Sequence, residues 1–367
     1  FQIADRMRLL DASGIRKVFD LAAKMRDPIN LSIGQPDFDV PEQLRQAAVQ
    51  AIQNGYNKYT QTQGLAELHE ALGKACQAEF GWNNDHPFLV ASGVSGALVL
   101  AMLTLVNPGD EVLFLDPYFV MYKHLVNLAG GVPIAVDTYP DFKLDVDKIA
   151  RAITPKTRLL ILNSPANPTG AVYDESQLRQ LAELAGRHNL LVISDEIYNL
   201  FCYDQPFVSM ASLYENTLLM RGFSKSYAMT GWRVAWVTGP KPIIEKMTML
   251  QQYSFVCAPS MAQAACVPAL QADMSAEVAQ YRRKRDMVYD MLGETFGLVR
   301  PAGAFYAFVP APGKNATAFV QKAIDNNVLV IPGNVFSSRD THFRISYATN
   351  DQKLQQGLEI LVKLAKG

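Results

Sequence analysis

The sequence predicts an α/β protein with a mainly parallel sheet and a smaller α+β domain after it. Short apolar runs recur along the middle of the chain, and helical patterns separate them. Runs that are apolar throughout are typical of strands buried on both faces of a parallel sheet. After about residue 300 the pattern changes to short strands interleaved with two helices. At 367 residues the chain can bury a large core and form two or three domain-sized units.

The first predicted elements are short. Apolar residues at helical spacing predict a helix over 13–22, with Ser13 as its N-cap. A strand follows at 29–33, and the glycine and proline of 34–36 break it into a shaped loop. Two further helices are expected at 41–54 and 65–80.

The sheet and the smaller domain account for the rest of the chain. A glycine-rich turn at 92–96 opens a helix that runs through residue 106, and another helix is expected at 119–129. A long helical stretch from about 260 to 296 is expected to bridge the two domains. The sheet strands are predicted at 88–91, 111–115, 132–136, 158–162, 190–194, 218–220 and 234–237, and the smaller domain has strands at 303–309, 328–331 and 343–347 with helices at 316–326 and 351–366.

Composition and charge argue against several classes of protein. The net charge is −1, so nothing favours electrostatic attraction to nucleic acid or to a membrane. No apolar run reaches the roughly 20 residues that span a bilayer. The four cysteines are scattered without a CxxC pair, which favours a reducing cytoplasm, and the five histidines lack metal-ligand spacing. The sequence starts at Phe1 rather than at methionine, so we expect a short piece to precede it, and no signal peptide is visible.

Three motifs follow one another in the second and third quarters of the chain. They read NSPANPTG at 163–170, LLVISDEIY at 190–198 and GFSKSYAMTGWR at 222–233. In this order they resemble the class I and II aminotransferases, which are fold-type I enzymes that use pyridoxal phosphate (PLP). The resemblance implies a seven-stranded-type sheet sandwiched by helices in a large PLP-binding domain at 44–270. It also implies that an N-terminal segment, 1–43, joins a small C-terminal domain at 271–367.

The reaction of PLP requires a lysine, an acid and an anion site, and the motifs supply candidates for the first two. Lys225 is the candidate for the internal aldimine, and once released by the substrate its amine could act as a general base. Asp195 ends a buried apolar strand, where a carboxylate needs a partner, and the pyridinium N–H of PLP would be one. Open α/β sheets bind ligands at this edge. The alternative for Asp195 is an N-cap on a following helix.

The phosphate of PLP needs backbone N–H groups and a cation. The turn at Gly93, Val94 and Ser95 opens a helix, where unpaired N–H groups and the helix dipole suit a dianion. A glycine-rich turn before a helix is common, however. Arg233 would add a bidentate fork to the phosphate. Many relatives carry a serine three residues before the lysine, where this chain has a glycine, and Ser224 would have to compensate.

The resemblance also implies roles for other residues. Asn167 and Tyr198 would donate hydrogen bonds to the phenolic oxygen of PLP, which favours the unprotonated imine at neutral pH. Phe119 would stack on the pyridine ring, with Tyr118 as the alternative one residue away. Gly34 would lie at the substrate, where the absence of a side chain leaves room for the amino acid.

Two more residues complete the implied site. Arg344, flanked by apolar strand residues, should be paired, and the α-carboxylate of a substrate offers a bidentate match. Tyr59 would cross a homodimer interface to the phosphate of the neighbour's PLP, although a lone tyrosine usually serves packing. No metal ligand is expected.

The sequence is therefore interpreted as a PLP-dependent aminotransferase that moves an amino group to a 2-oxo acid by a ping-pong mechanism. Aromatic amino acids, methionine or aspartate with 2-oxoglutarate are the expected substrates. A cation for a distal carboxylate could be Arg16, Lys58 or Lys123, whereas Gln35, Tyr56, Phe255 and Phe336 could instead line an apolar pocket. The alternatives are a C–S β-lyase on the same scaffold and a non-catalytic PLP-binding regulator, which would need a DNA-binding module that is not visible before residue 30.

Overall fold

The computed structural model describes residues 1–11, 14, 15, 18, 21, 23, 25–82 and 86–366. The predicted helix at 13–22 falls largely on residues outside this set, and so do its N-cap Ser13 and the candidate cation Arg16. None of the helices in the described part of the chain is long and apolar enough to cross a membrane.

A mixed sheet of seven strands forms the centre of the molecule. Its spatial order is β2-β8-β7-β6-β5-β3-β4. The pairs among β3, β4, β5, β6 and β7 are parallel, and only β8 runs antiparallel to both of its neighbours. The predicted mainly parallel α/β sheet is therefore confirmed. The strands are β2 (Phe88–Ala91), β3 (Glu111–Asp116), β4 (Val132–Asp137), β5 (Thr157–Asn163), β6 (Leu191–Asp195), β7 (Thr217–Gly222) and β8 (Ala235–Thr238).

Helices cover both faces of this sheet. Side chains alternate between the two faces of a strand, so Ile193 packs in one apolar cluster and Val192 in another. This explains why the strands are apolar throughout. The clusters on the two faces also contain buried residues from α1 (Glu42–Gln53), α2 (Ala66–Phe80), α3 (Gly93–Leu105), α4 (Met121–Leu128), α5 (Val146–Ala152), α6 (Glu175–Arg187), α7 (Lys241–Gln252) and α8 (Ser260–Ala269).

A second group of strands and helices contains both the N-terminal segment and the C-terminal part. β1 (Ile29–Asn30) pairs in parallel with β10 (Val328–Leu329), which joins the two ends of the chain. A three-stranded antiparallel sheet has the order β11-β12-β9. The domain boundaries near residues 43 and 270 stay a prediction. The remaining elements are β9 (Tyr306–Pro310), β11 (Ile331–Pro332), β12 (His342–Ser346), α9 (Ser275–Phe296), α10 (Ala316–Asp325) and α11 (Asp351–Lys366).

The predicted single helical stretch from 260 to 296 is wrong, because the chain breaks at 270–274 into α8 and α9. Pro268, which has no backbone N–H to donate, lies in the last turn of α8. The carboxylate of Asp273 then accepts hydrogen bonds from the backbone N–H and the hydroxyl of Ser275, at 2.9 and 3.1 Å. These contacts stabilise the start of a new helix.

The predicted strand at 328–331 is also divided in two. Leu329 pairs with Asn30, whereas Ile331 pairs with Arg344 in the antiparallel sheet. The chain therefore changes partner at Val330, and a single apolar run in the sequence serves two sheets.

Candidate active site

A cavity of about 620 Å³ lies where the parallel strands of the large sheet end. β5 and β6 end at Asn163 and Asp195, and both residues line the cavity. This is the edge at which open α/β sheets bind ligands. Of the residues predicted for the site, eleven line this one cavity: Gly34, Val94, Ser95, Phe119, Asn167, Asp195, Tyr198, Ser224, Lys225, Arg233 and Arg344.

Lys225 follows β7 in a turn and extends its amine into the cavity. Its Nζ donates a hydrogen bond of 2.7 Å to the backbone carbonyl of Gly34. Burial and the nearby guanidinium groups of Arg233 and Arg344 lower the pKa of Lys225 to about 8, although Asp195 acts in the opposite direction. An amine with this pKa is partly neutral near neutral pH, as a nucleophile or a base must be.

Asp195 is a buried carboxylate, and its side chain is directed into the cavity. Oδ2 accepts a hydrogen bond of 2.7 Å from the hydroxyl of Tyr122, and Oδ1 accepts one of 3.3 Å from the N–H of Ile197. Burial raises the pKa of Asp195 to about 6. Turns rather than a helix follow at 196–200, so the alternative reading of Asp195 as a helix N-cap is wrong.

Asn167 and Tyr198 lie on the same side of the cavity as Arg344. The carbonyl oxygen of the Asn167 side chain accepts a hydrogen bond of 3.0 Å from Nη1 of Arg344, which leaves its amide N–H groups free to donate. The Tyr198 hydroxyl is 3.0 Å from that of Tyr306. Sequence reasoning missed Tyr306; a tyrosine in a buried strand needs a partner for its hydroxyl, and this was the available signal.

Arg344 is among the largest fully buried side chains of the protein. Its Nη2 donates a hydrogen bond of 2.6 Å to the carbonyl of Ser32. The guanidinium carbon lies 4.5 Å from the ring centre of Tyr306 and 4.8 Å from that of Phe336. The Nε of Arg344 has no hydrogen-bond partner among the described residues, and no carboxylate of these residues pairs with its guanidinium. A buried cation without an anion is expected to bind one from outside the chain.

The residues predicted for an anion site lie close together. α3 begins at Gly93, whose φ of +70° suits glycine. A Cβ there would lie 2.5 Å from Nη2 of Arg233, so the missing side chain lets this arginine approach the start of the helix. The first N–H groups of α3, including those of Val94 and Ser95, have no partner within the helix. Val94, Ser95 and Arg233 all line the cavity, and free N–H groups at the start of a helix beside a guanidinium suit an anion.

The glycine that departs from the pattern of the relatives is packed tightly. A Cβ at Gly222 would lie 3.0 Å from Cδ1 of Ile197 and 3.1 Å from Cβ of Ala235. A serine would therefore require these neighbours to move. Ser224 is buried and lines the cavity two residues later.

The structure distinguishes the two candidate aromatic residues. Phe119 lines the cavity and contacts Tyr122 edge-on at a ring separation of 5.8 Å. Tyr118 instead packs against Phe114 and lines a separate cavity of about 470 Å³. Phe119 is therefore the residue in position to contact a ligand.

Several other candidates lie elsewhere in this chain. Tyr59 is 85% exposed and does not line the cavity. Lys123 lines the separate cavity instead. Phe336 is buried beneath Arg344. The candidates Gln35, Tyr56, Lys58 and Phe255 are likewise absent from the lining, whereas Ile15, Leu98, Val120, Tyr122, Asn163, Ile197, Thr230 and Tyr306 are lining residues that the sequence did not predict.

A mainly parallel sheet whose edge gathers a lysine, an aspartate and an arginine around one cavity defines an α/β enzyme of the fold-type I class. A family model described as aminotransferase class I and II matches residues 26–361. The chain belongs to this family, and it is a transaminase. Enzymes of the family use PLP and act on amino acids and 2-oxo acids.

Individual proteins support the assignment along the whole chain. The sequence is 36% identical to aromatic-amino-acid aminotransferase 2 of Thermococcus litoralis and 37% identical to an aspartate aminotransferase of Pyrococcus abyssi. Both alignments cover 99% of this chain and 98% of the relative. The fold matches the aspartate aminotransferase from Thermus thermophilus with maleate at a TM-score of 0.94 and 35% identity, over 99% of this chain and 100% of that one.

Proposed function

We propose that the cavity binds PLP, that Lys225 binds its aldehyde carbon covalently, and that an amino acid and a 2-oxo acid react there in turn. The observation that carries this proposal is the meeting of three groups in one cavity: a lysine of lowered pKa, a buried carboxylate and a buried arginine without a carboxylate partner. When bound, the cofactor would supply an electron sink for the negative charge that develops at the substrate's α-carbon.

The described side chains fit this cofactor. Asp195 would accept the N–H of the ring, and the contact from Tyr122 would keep its carboxylate in place. Tyr198 and the free amide N–H groups of Asn167 would donate to the phenolic oxygen. Phe119 would cover one face of the ring. The phosphate would bind to the N–H groups of Gly93, Val94 and Ser95, to Arg233 and to Ser224.

Lys225 would act twice in this scheme. It would hold the cofactor, and its amine, when free, would remain in the cavity, where its lowered pKa leaves part of the population neutral. This amine would take the α-proton of the substrate as a general base and return it at a different atom as a general acid. The first product leaves before the second substrate enters, because both occupy the same position against Arg344.

Arg344 would bind the α-carboxylate of both substrates, because its fork matches a carboxylate. We propose aromatic amino acids, methionine or aspartate as donors and 2-oxoglutarate as acceptor, in keeping with the aromatic and aspartate aminotransferases to which the chain is similar. Movement of the small domain, 271–367 with 1–43, toward the large domain, 44–270, would close the cavity on them.

We further propose that two copies of the chain form a dimer through the surface that contains Tyr59. This side chain and that of Tyr253 are exposed to 85% and 86%, and Val256 nearby in the chain is also exposed. Large exposed aromatic side chains are typical of protein interfaces. Tyr59 would then reach the phosphate in the neighbouring subunit.

A spectrum of the purified protein tests the function. We expect a visible absorbance band from lysine-bound cofactor, which particular amino acids bleach and 2-oxo acids restore. A protein that binds PLP but is bleached by no amino acid would contradict the proposal. Release of a thiol from a cysteine conjugate, without transfer of nitrogen to 2-oxoglutarate, would indicate the β-lyase instead.

A further inference from the structure

The backbone segment 32–34 accepts a hydrogen bond from each of two functional cations. The carbonyl of Ser32 accepts from Nη2 of Arg344 at 2.6 Å, and the carbonyl of Gly34 accepts from Nζ of Lys225 at 2.7 Å. These two cations come from different sheets, one from β12 and the other from the turn after β7. The position of this short segment therefore affects the orientation of both.

The upstream end of the segment is tied to the smaller group of strands. The N–H of Leu31 donates to the carbonyl of Leu329 at 2.9 Å, and the N–H of Ser346 donates to the carbonyl of Leu31 at 2.7 Å. The side chain of Asn30 accepts from both the N–H and the hydroxyl of Ser32. At this end the segment must move together with β12 and Arg344.

The downstream end is held by one carboxylate, that of Asp37. Its Oδ1 accepts a hydrogen bond of 2.7 Å from the hydroxyl of Tyr281, and the same hydroxyl accepts one of 3.1 Å from the N–H of Asp37. Its Oδ2 accepts a hydrogen bond from Nζ of Lys284. Tyr281 and Lys284 both lie on α9, so this contact fastens the loop to the longest helix.

Lys284 is buried, with only 1% of its surface exposed. Lysine is almost never fully buried unless it is paired. Besides Asp37, its amine donates to the carbonyl of Thr349, which follows β12, and lies 3.7 Å from a carboxylate oxygen of the largely exposed Asp351. The buried ammonium therefore joins three parts of the chain: α9, the loop of Asp37 and the end of the strand that carries Arg344.

We propose that Asp37 and Lys284 are positioning residues for the transamination reaction. Neither lines the cavity. Together they hold the carbonyls of Ser32 and Gly34 where these accept hydrogen bonds from Arg344 and Lys225. This inference rests on the proposed function, since it assigns a role in placing the substrate's carboxylate and the reacting amine. A displacement of about 1 Å at such a site can lower a rate by roughly 10²-fold.

The first variant for the test is Asp37→Asn, which keeps the shape of the side chain and removes its charge. We expect a lower Tm, because the buried ammonium of Lys284 loses its carboxylate partner. We also expect the KM for the amino acid to rise at least tenfold, while the visible band of the bound cofactor is retained. Binding of a 2-methyl amino acid, which has no α-proton to lose, should weaken by a similar factor and reports on positioning without turnover.

The double variant Asp37→Asn with Lys284→Met separates positioning from stability. Removing both charges should restore much of the Tm, yet the contact between the loop and position 284 stays lost, so the raised KM and the weakened binding of the 2-methyl amino acid should persist. Recovery of KM together with Tm would overturn the proposal and leave the pair a purely stabilising role. If the single variant does not fold, the KM of the double variant alone decides between a positioning role and a purely stabilising role.

Glu70→Gln is the matched control, because it removes one charge from the exposed pair with Lys74. It should change neither Tm nor KM noticeably. A wild-type protein whose cofactor band responds to no amino acid would refute the proposed function itself. The other outcome is a wild-type protein whose cofactor band does respond to amino acids and an Asp37→Asn variant with an unchanged KM. That result would refute the positioning role alone.

Discussion

Replacement of Arg344 by alanine should impair amino-acid binding while leaving the cofactor bound. The guanidinium is fully buried, and no carboxylate of the described chain pairs with it. A hydrogen bond to a charged group contributes about 1.5–3 kcal/mol. A bidentate contact to the substrate carboxylate comprises two, so we expect a loss of about 3–6 kcal/mol, or roughly 10²–10⁴-fold in kcat/KM.

The loss should be expressed mainly in KM for the amino acid and for the 2-oxo acid. Both bind through the same carboxylate, so the two half-reactions should be impaired by similar factors. The variant also leaves the carbonyl oxygens of Ser32 and Asn167 unpaired, at about 1–3 kcal/mol each, so some decrease in Tm is expected. The visible band of the bound cofactor verifies that the cavity is still formed.

Two further variants define the origin of the effect. Arg344→Lys keeps the charge but not the planar fork, and it should recover only part of the activity. Arg339→Gln is the control, because this arginine is 44% exposed and pairs with Asp137 at 2.9 Å. An exposed pair contributes about 0–1 kcal/mol, so kcat/KM should fall less than about fivefold. An Arg344→Ala enzyme with an unchanged KM would refute the assignment of the carboxylate site.

Three other predictions concern the residues around the cofactor. Lys225→Ala should abolish the visible band of lysine-bound cofactor and turnover with it; normal turnover in this variant would contradict the mechanism. In the cofactor-free protein, the carboxyl of Asp195 keeps its proton up to about pH 6, whereas it ionises near pH 4 when unfolded, so the free energy of unfolding should fall as the pH rises from about 4 to 6. Cofactor-free Asp195→Asn should lack this decrease and be more stable above pH 6 by up to about 3 kcal/mol, measured by denaturant titration, although it should transaminate poorly. Tyr198→Phe removes a donor to the phenolic oxygen and should raise the pH at which the visible band titrates; an unchanged midpoint would place this hydroxyl elsewhere.

Much of the site could be predicted because its residues lie in short motifs at the ends of strands. Asp195 directly follows a buried apolar run, and Lys225 follows the next strand by three residues. Such features are local, so the chemistry of the residue and the position of the strand can be inferred together. Apolar runs likewise predicted the strands of the central sheet.

Other features depend on parts of the chain that are distant in sequence. Tyr122 contacts Asp195 across 73 residues, and nothing about a tyrosine on a helix specifies that partner. The reversed direction of β8 and the change of partner at Val330 are also not encoded in an apolar run, because the strands look alike in either direction or sheet. The break between α8 and α9 depends on the local contacts of Asp273.

The sequence by itself determined the class of the fold, the family and the types of residue that carry the chemistry, because these follow from local patterns and from motifs in order. Only the tertiary structure decided which groups hold the functional side chains in place. Lys225 and Arg344 both donate to backbone carbonyls of the segment 32–34, and a partly exposed aspartate paired with a buried lysine fastens that segment. Every residue has a backbone carbonyl, so no sequence pattern marks the two that are used. Their selection requires the chain to be folded, which brings residues nearly two hundred or more positions apart within hydrogen-bond distance.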